Sequence, residues 1–332
     1  MQAKLTLGIL GIALIAMGVM AFAIISTTRI ALIEAANQNL LGTANQISTE
    51  IDAYLEANIK SLQAEAQIPI LQEYVLYPSR RSGYKTQIVR DSLTSLQNKD
   101  SYILSYSLLD INGEVIADTR TVSKLPAFLD ADAQTKREFE SAMNLGQTYI
   151  SPLKFEEDAA LVYFAAPIKE ETGNTAGLLV ARYDSDVFQH LIDQNTELAG
   201  PGSYGVLYGQ IYDNYIHIAH GNSPELFAKS LVPYSANRLV TLKENRLLPD
   251  IPAEELSLNL PSLITNIEDA FREPYFTYSQ GNFTNQVALV QLEEKPWFLA
   301  FYQPQDTFLS PVAQQTTLAL LLAILVGGFM SL

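Results

Sequence analysis

The chain has 332 residues, 48% hydrophobic and 17% charged, with a formal net charge of −15. That is enough apolar material for one large domain or two ordinary ones, and too much for a disordered chain. The acidic balance excludes the basic face that a nucleic-acid partner requires, Arg80-Arg81 being the densest basic cluster, and the lack of cysteine excludes disulfides, thiolate metal sites and cysteine nucleophiles together.

Leu5 to Ile25 carries no charge and no proline. A run of that length spans a hydrocarbon layer of about 30 Å. Ala21-Phe22-Ala23 fits a signal-peptidase site, so a cleaved leader is the alternative. The run is longer than the usual ~7–15-residue signal core and flows unbroken into a helical pattern, so an uncleaved transmembrane helix over 5–26 is expected. Residues 27–68 follow as a stalk helix. Leu40, Ala44, Ile47, Ile51 and Tyr54 recur at spacings of four and three, and no proline intervenes before Pro69. Such a stripe serves either as a coiled-coil seam or as the buried face of one amphipathic helix. About 40 helical residues reach about 60 Å, more than one small domain needs.

From Tyr102 the pattern turns to strands. Tyr102 to Leu109 is aromatic and β-favouring, Asp110-Ile111-Asn112-Gly113 is a turn, and Glu114 to Ala117 resumes the strand. Ala131 to Leu145 reads as helix. Ala160–Ile168 and Ala176–Tyr183 read as paired strands, followed by a helix over Ser185–Leu198. Ala199-Gly200-Pro201-Gly202-Ser203 breaks the pattern and marks a module boundary. Strands resume at Tyr204–Tyr208 and Tyr215–Ala219. An irregular helical stretch with five prolines follows, and three closing strands run over Tyr275–Tyr278, Gln286–Leu292 and Pro296–Tyr302. An uncharged run from Leu318, within residues 313–332, is expected to be a second transmembrane helix, with a buried terminal helix as the alternative. The expected class is α+β with mostly antiparallel strands: a long N-terminal helix, one module over 69–198 and another over 199–310, between two membrane spans. Two spans place residues 28–312 on one side of a plasma (inner) membrane, and Lys4 favours the outer side for them.

This order resembles the double Cache sensor family, whose members carry two PAS-like modules between two spans. Leu109-Asp110-Ile111-Asn112-Gly113-Glu114-Val115-Ile116-Ala117-Asp118-Thr119 looks like the family hairpin. Gly146-Gln147-Thr148-Tyr149-Ile150-Ser151-Pro152 and the pair Ala166-Pro167-Ile168 and Gly177-Leu178-Leu179-Val180 look like its next strands. In the second module, Tyr204-Gly205-Val206-Leu207 and His217-Ile218-Ala219-His220-Gly221 echo the equivalent hairpin. The resemblance implies a homodimeric receptor, paired through the N-terminal helix, that binds a small molecule in the membrane-distal module. Chemotaxis domains, histidine kinases or nucleotide cyclases are the usual outputs. It also points to a site. Arg137 and Phe139 fit the carboxylate-holding half of the family's amino-acid motif, with Glu140 where a tyrosine would stand. Arg182 occupies the place of an acid that holds the ligand's ammonium group. Two arginines in those places would grip an anion, which makes a small organic acid the expected ligand. The competing reading leaves both as solvated surface residues.

Tyr102, Tyr106, Tyr149 and Tyr163 lie on strands of the same module and suit either a pocket or a core. Asp184 is expected to pair with Arg182. His217 and His220 lie three apart in a strand, which sends them to opposite faces and argues against a metal site. No cofactor is expected. Neither a nucleophile elbow, a phosphate loop, a zinc helix nor a kinase signature occurs, so no catalytic residue is assigned, and Glu156-Glu157 and Glu293-Glu294 read as solvated. The rival to a sensor is a membrane-anchored structural or adhesion protein without a small-molecule ligand.

Overall fold

The computed structural model describes residues 2–120, 140–156, 159–281 and 283–330. Helix α1 (Gln2–Glu65) has 64 residues, no proline and a length of about 96 Å. It is continuous through the expected membrane segment and stalk. Leu40, Ala44, Ile47, Ile51, Leu55 and Leu62 form its fully buried stripe. It stops because Pro69 forces Ile68 into an extended conformation (ψ 123°) and starts a new helix, α2 (Pro69–Leu76). Helix α3 (Gly83–Gln97) follows, capped by Ser82, whose hydroxyl accepts from the Lys85 amide.

The first sheet is antiparallel, in the order β2-β1-β6-β5-β3, with β4 also on β5. Its strands are β1 (Ile103–Asp110), β2 (Val115–Asp118), β3 (Tyr149–Ile150), β4 (Lys154–Glu156), β5 (Ala159–Lys169) and β6 (Thr175–Asp184). The Asp110 carboxylate closes the first hairpin, accepting from the amides of Asn112 and Glu114 at 2.9 Å each, while Gly113 takes φ 80°. Within the stretch expected to be helix over 131–145, residues 140–145 are helical and the remainder lie outside the described residues. Helix α4 (Asp186–Asp193) ends five residues before the expected Leu198 and continues as turns.

The linker uses Gly200 and Gly202 at φ 123° and 71°. The second sheet, also antiparallel, runs β8-β7-β11-β10-β9. Its strands are β7 (Tyr204–Ile211), β8 (Asn214–His220), β9 (Tyr275–Gln280), β10 (Phe283–Gln291) and β11 (Trp297–Pro304). Between β8 and β9 lie α5 (Ala236–Glu244) and α6 (Pro261–Ala270), and the chain closes with α7 (Gln305–Phe308) and α8 (Ser310–Met330).

Helix α1 is the shared backing of both sheets, packing on β5 and β6 of the first and on β10 and β11 of the second. One core therefore runs from Phe164, Ala181 and Phe188 to Trp297, Leu299 and Phe301. Polar ties fix the register. The Gln286 amide donates to the buried Asn37 side chain at 2.7 Å, and the Asp52 carboxylate accepts from the Glu293 and Glu294 amides at 3.0 and 3.1 Å. Among the described residues one helix, running from Ile15, is long and apolar enough to cross a membrane.

His217 and His220 correct an expectation. Strand β8 carries a bulge: Tyr208 pairs with His217 and Leu207 with Ala219, so Ile218 is the extra residue. A bulge shifts the alternation by one. Both imidazoles therefore face away from α1, with ring centres 5.7 Å apart. Among the described residues no group of three or more metal-ligating side chains forms.

Candidate functional site

Period-2 alternation in the first sheet sends one set of side chains onto α1, α2 and α3 and the other set to the opposite face. Register aligns the outward set in rows. Ser105, Arg182 and Tyr163 stand side by side on β1, β6 and β5, and Asp118, Ser107, Val180, Ala165 and Tyr149 form the next row. Leu109, Leu161 and Leu178 make an apolar floor around them.

Arg182 is the centre of this face. Its Nη2 lies 2.6 Å from Glu156 Oε2, its Nη1 donates to the Ser105 hydroxyl at 3.4 Å, and its guanidinium carbon lies 5.9 Å from the Tyr163 ring centre. Its Nε–H is buried without a hydrogen-bond partner. The other Glu156 oxygen, Oε1, accepts from the Tyr163 hydroxyl and lies 3.6 Å from Arg246 Nη1. Burial, and then the Glu156 charge, push the Tyr163 phenol well above its ordinary value, so it stays a donor. In the adjoining row the Asp118 carboxylate accepts from the Ser107 hydroxyl at 2.5 Å and pairs with the Arg120 guanidinium at 3.3 Å.

The structure sorts the expected site residues. Arg182, Tyr163 and Tyr149 share the outward face. Tyr106 faces the helices: it is 1% exposed, and its hydroxyl donates to Glu65 Oε2 at 2.7 Å. Tyr102 packs against the same helix-side core. Arg137 and Phe139 lie outside the described residues. Asp184 is not the ion partner of Arg182; its Oδ1 accepts from the Asp186 amide at 3.0 Å, and Glu156 holds the arginine instead. Glu156 in turn is no solvated turn residue, because its side chain is only 10% exposed. Ser105, Ser107, Asp118 and Arg120 also belong to the face. Two serines at period 2 in an otherwise apolar strand were the available signal for the first pair.

Tyr106 offers a test of this sorting. Tyr106→Phe leaves a buried Glu65 oxygen short of a donor, which costs about 1–3 kcal/mol. Denaturant unfolding should show that loss, and affinity for any ligand of the outward face should be unchanged. A changed affinity would put Tyr106 in the site.

The Cache domain family model, in its double form, matches residues 28–312. The chain belongs to the Cache domain family. A Cache domain is a sensing domain of receptors, not a catalytic one. No curated protein sequence matches the chain. Solved Cache-type structures do. The sensor domain of the V. cholerae histidine kinase DctB is 14% identical with a TM-score of 0.57, over 83% of this chain and 98% of that one. The ligand-binding domain of the Campylobacter jejuni chemoreceptor Tlp3, in complex with 4-methylisoleucine, is 17% identical with a TM-score of 0.53, over 83% and 94%. That of the Pseudomonas fluorescens chemoreceptor CtaA, in complex with L-isoleucine, is 15% identical with a TM-score of 0.53, over 86% and 98%. At these identities the likeness is one of fold.

Proposed function

We propose that this Cache chain is the extracytoplasmic, ligand-sensing region of a transmembrane signal-transduction receptor. Residues 5–26 and 313–332 are read as the two membrane spans, 69–198 as the membrane-distal module and 199–310 as the membrane-proximal one. The receptor pairs with a second copy of itself along α1. The ligand is a small organic acid bound on the outward face of the first sheet. The observation that carries this is the buried Arg182 guanidinium with its unpartnered Nε–H, held beside Ser105 and Tyr163. The Arg120 and Arg246 guanidinium groups, paired with Asp118 and Glu156, bring further positive charge to the same face. A buried cation with a donor to spare favours an anion. The amino acids bound in Tlp3 and CtaA carry a carboxylate of the same kind.

The relay follows the chain. β11 is a central strand of the second sheet, packs on α1 and leads through α7 directly into α8. A ligand that favours one packing of the two sheets on α1 thereby biases the position of α8 in the membrane. A ligand with equal affinity for both packings would signal nothing.

A melting-temperature screen of the detergent-solubilised chain against carboxylates, amino acids and amines tests the reading. At a hundred times its Kd a ligand adds about 2.7 kcal/mol. A carboxylate is expected to raise the melting temperature by about 4 °C, and Arg182→Ala is expected to abolish the shift. Stabilisation by amines alone would sink the anion assignment. No shift with any compound would favour a structural or adhesion role.

A further inference from the structure

We infer that Glu156 is a latch between the two halves of the chain, and that a carboxylate arriving at Arg182 opens it. The inference rests on the reading of the Arg182 face as an anion site and adds how that site is read out. Glu156 is the one described residue bonded to both halves through its carboxylate. Oε2 is held by Arg182 of the first sheet, and Oε1 lies 3.6 Å from Arg246 of the second half. The neighbouring backbone reinforces the link. The Phe155 amide donates to the Arg246 carbonyl at 2.8 Å, Lys154 Nζ donates to the Asn245 carbonyl at 3.1 Å, and the Phe155 and Phe227 rings are 6.0 Å apart. Arg246 itself takes φ 57°, a left-handed conformation uncommon outside glycine, so this junction is shaped rather than incidental.

Competition follows from the geometry of a guanidinium. A carboxylate binds side-on through Nε and Nη2 together. At Arg182 the Nε–H is unpartnered, while Nη2 belongs to Glu156 at 2.6 Å. Nη2 has a second hydrogen on the Nε side. An incoming carboxylate that takes the Nε–H together with that hydrogen comes to share Nη2 with Glu156, and the like charge of the two carboxylates drives Glu156 off Arg182. The displaced Glu156 keeps Tyr163 and Arg246 as partners, so its charge stays neutralised while it shifts toward the second half. Ligand occupancy in the first sheet thus becomes a change of tension at residues 245–246, next to the α5 segment of the second half.

Two variants predict opposite effects on binding. Glu156→Gln removes the internal competitor, so the affinity for a carboxylate found in the screen, or for succinate as the standing probe, should rise about tenfold. Arg246→Gln, at a side chain 48% exposed and so tolerant of change, removes the partner that receives the displaced Glu156, and affinity should fall several-fold. Without any ligand, both variants should speed hydrogen exchange at the Phe155 amide, which donates to Arg246, by about tenfold. Exchange unchanged in both variants overturns the latch whatever the ligand does. Faster exchange with affinity unchanged, or moved the same way in both, overturns the competition. If neither the native chain nor Glu156→Gln binds any carboxylate, the anion reading of the face falls, and the competition with it, even where exchange quickens.

Discussion

An alanine at position 177 is expected to destabilise the chain by about 3–5 kcal/mol, at the upper end of what overpacking costs. Gly177 lies in β6, the central strand of the first sheet, opposite Asp110 of β1 and Ile168 of β5. A Cβ placed there would come 2.2 Å from the Leu109 carbonyl oxygen and 2.8 Å from Val75 Cγ1. The first contact is backbone and cannot rotate away. Relieving it opens the β1–β6 ladder, the Val75 contact pushes α2 off the sheet as well, and both shifts lose buried contacts. The melting temperature should drop by about 4–7 °C. Gly42 is the control. It is exposed on α1 and a Cβ there meets nothing within 4 Å, so Gly42→Ala should add up to about 1 kcal/mol of helix stability. Equal denaturation midpoints for Gly177→Ala and the native chain would show that β6 and β1 can separate without loss.

The same glycine shows where the sequence was informative. Gly177-Leu178-Leu179-Val180 looked like a family strand by its text, and it is one. The reason for the glycine lies in the Leu109 carbonyl of β1 and in Val75 of α2, both far back in sequence, and becomes visible only when β1 is paired and α2 is in place. Several local signals held. A proline-free stripe made α1, Pro69 ended it, and Asp110 to Gly113 closed a hairpin, because each depends on neighbours within a few positions. Period 2 told which tyrosines share a face but not which face. Tyr106 and Tyr163 read alike in sequence, and both faces of the sheet are apolar, so nothing local separates the residue that donates to Glu65 from the one that donates to Glu156. Glu156 was misread for the same reason. Beside Glu157 it has the text of a solvated turn, and its burial is imposed by Arg182 and Arg246, one on β6 and the other in the second half of the chain. A bulge at Ile218 is likewise silent in sequence, though it decides that His217 and His220 meet.

That meeting gives the second large effect: stability should fall by roughly 3–4 kcal/mol between pH 7 and pH 5. Both imidazoles are pushed down to about 4, His217 by burial and then by the Lys229 charge, His220 by burial and then by the charge of His217. The geometry assigns the neutral forms. His217 Nδ1–H donates to the Lys229 carbonyl at 2.8 Å, while His220 Nδ1 accepts from the amides of Asn222 and Ser223 at 3.2 and 3.0 Å. Protonating His220 at Nδ1 would evict both donors. Tyr204 closes the cluster, stacked on His220 at 5.3 Å and on Tyr302 at 5.2 Å. In the unfolded chain each histidine titrates near 6.5, so below that pH the unfolded state binds more protons than the folded one. Stability is full above about 6.5 and is lost as pH falls toward 4, by about 2 kcal/mol for each histidine at pH 5. Glu73, held below its ordinary 4.5 by Lys85, titrates under this window in either state and does not contribute to it. Asn at both positions can keep a donor where His217 Nδ1–H stands and an acceptor where His220 Nδ1 stands, without a titrating ring. Urea unfolding of the native chain and of the His217→Asn, His220→Asn double variant at the two pH values decides the matter. The native chain should weaken at pH 5 and the variant should not. Parallel losses in both would place the acid sensitivity elsewhere and leave the ring cluster as packing alone.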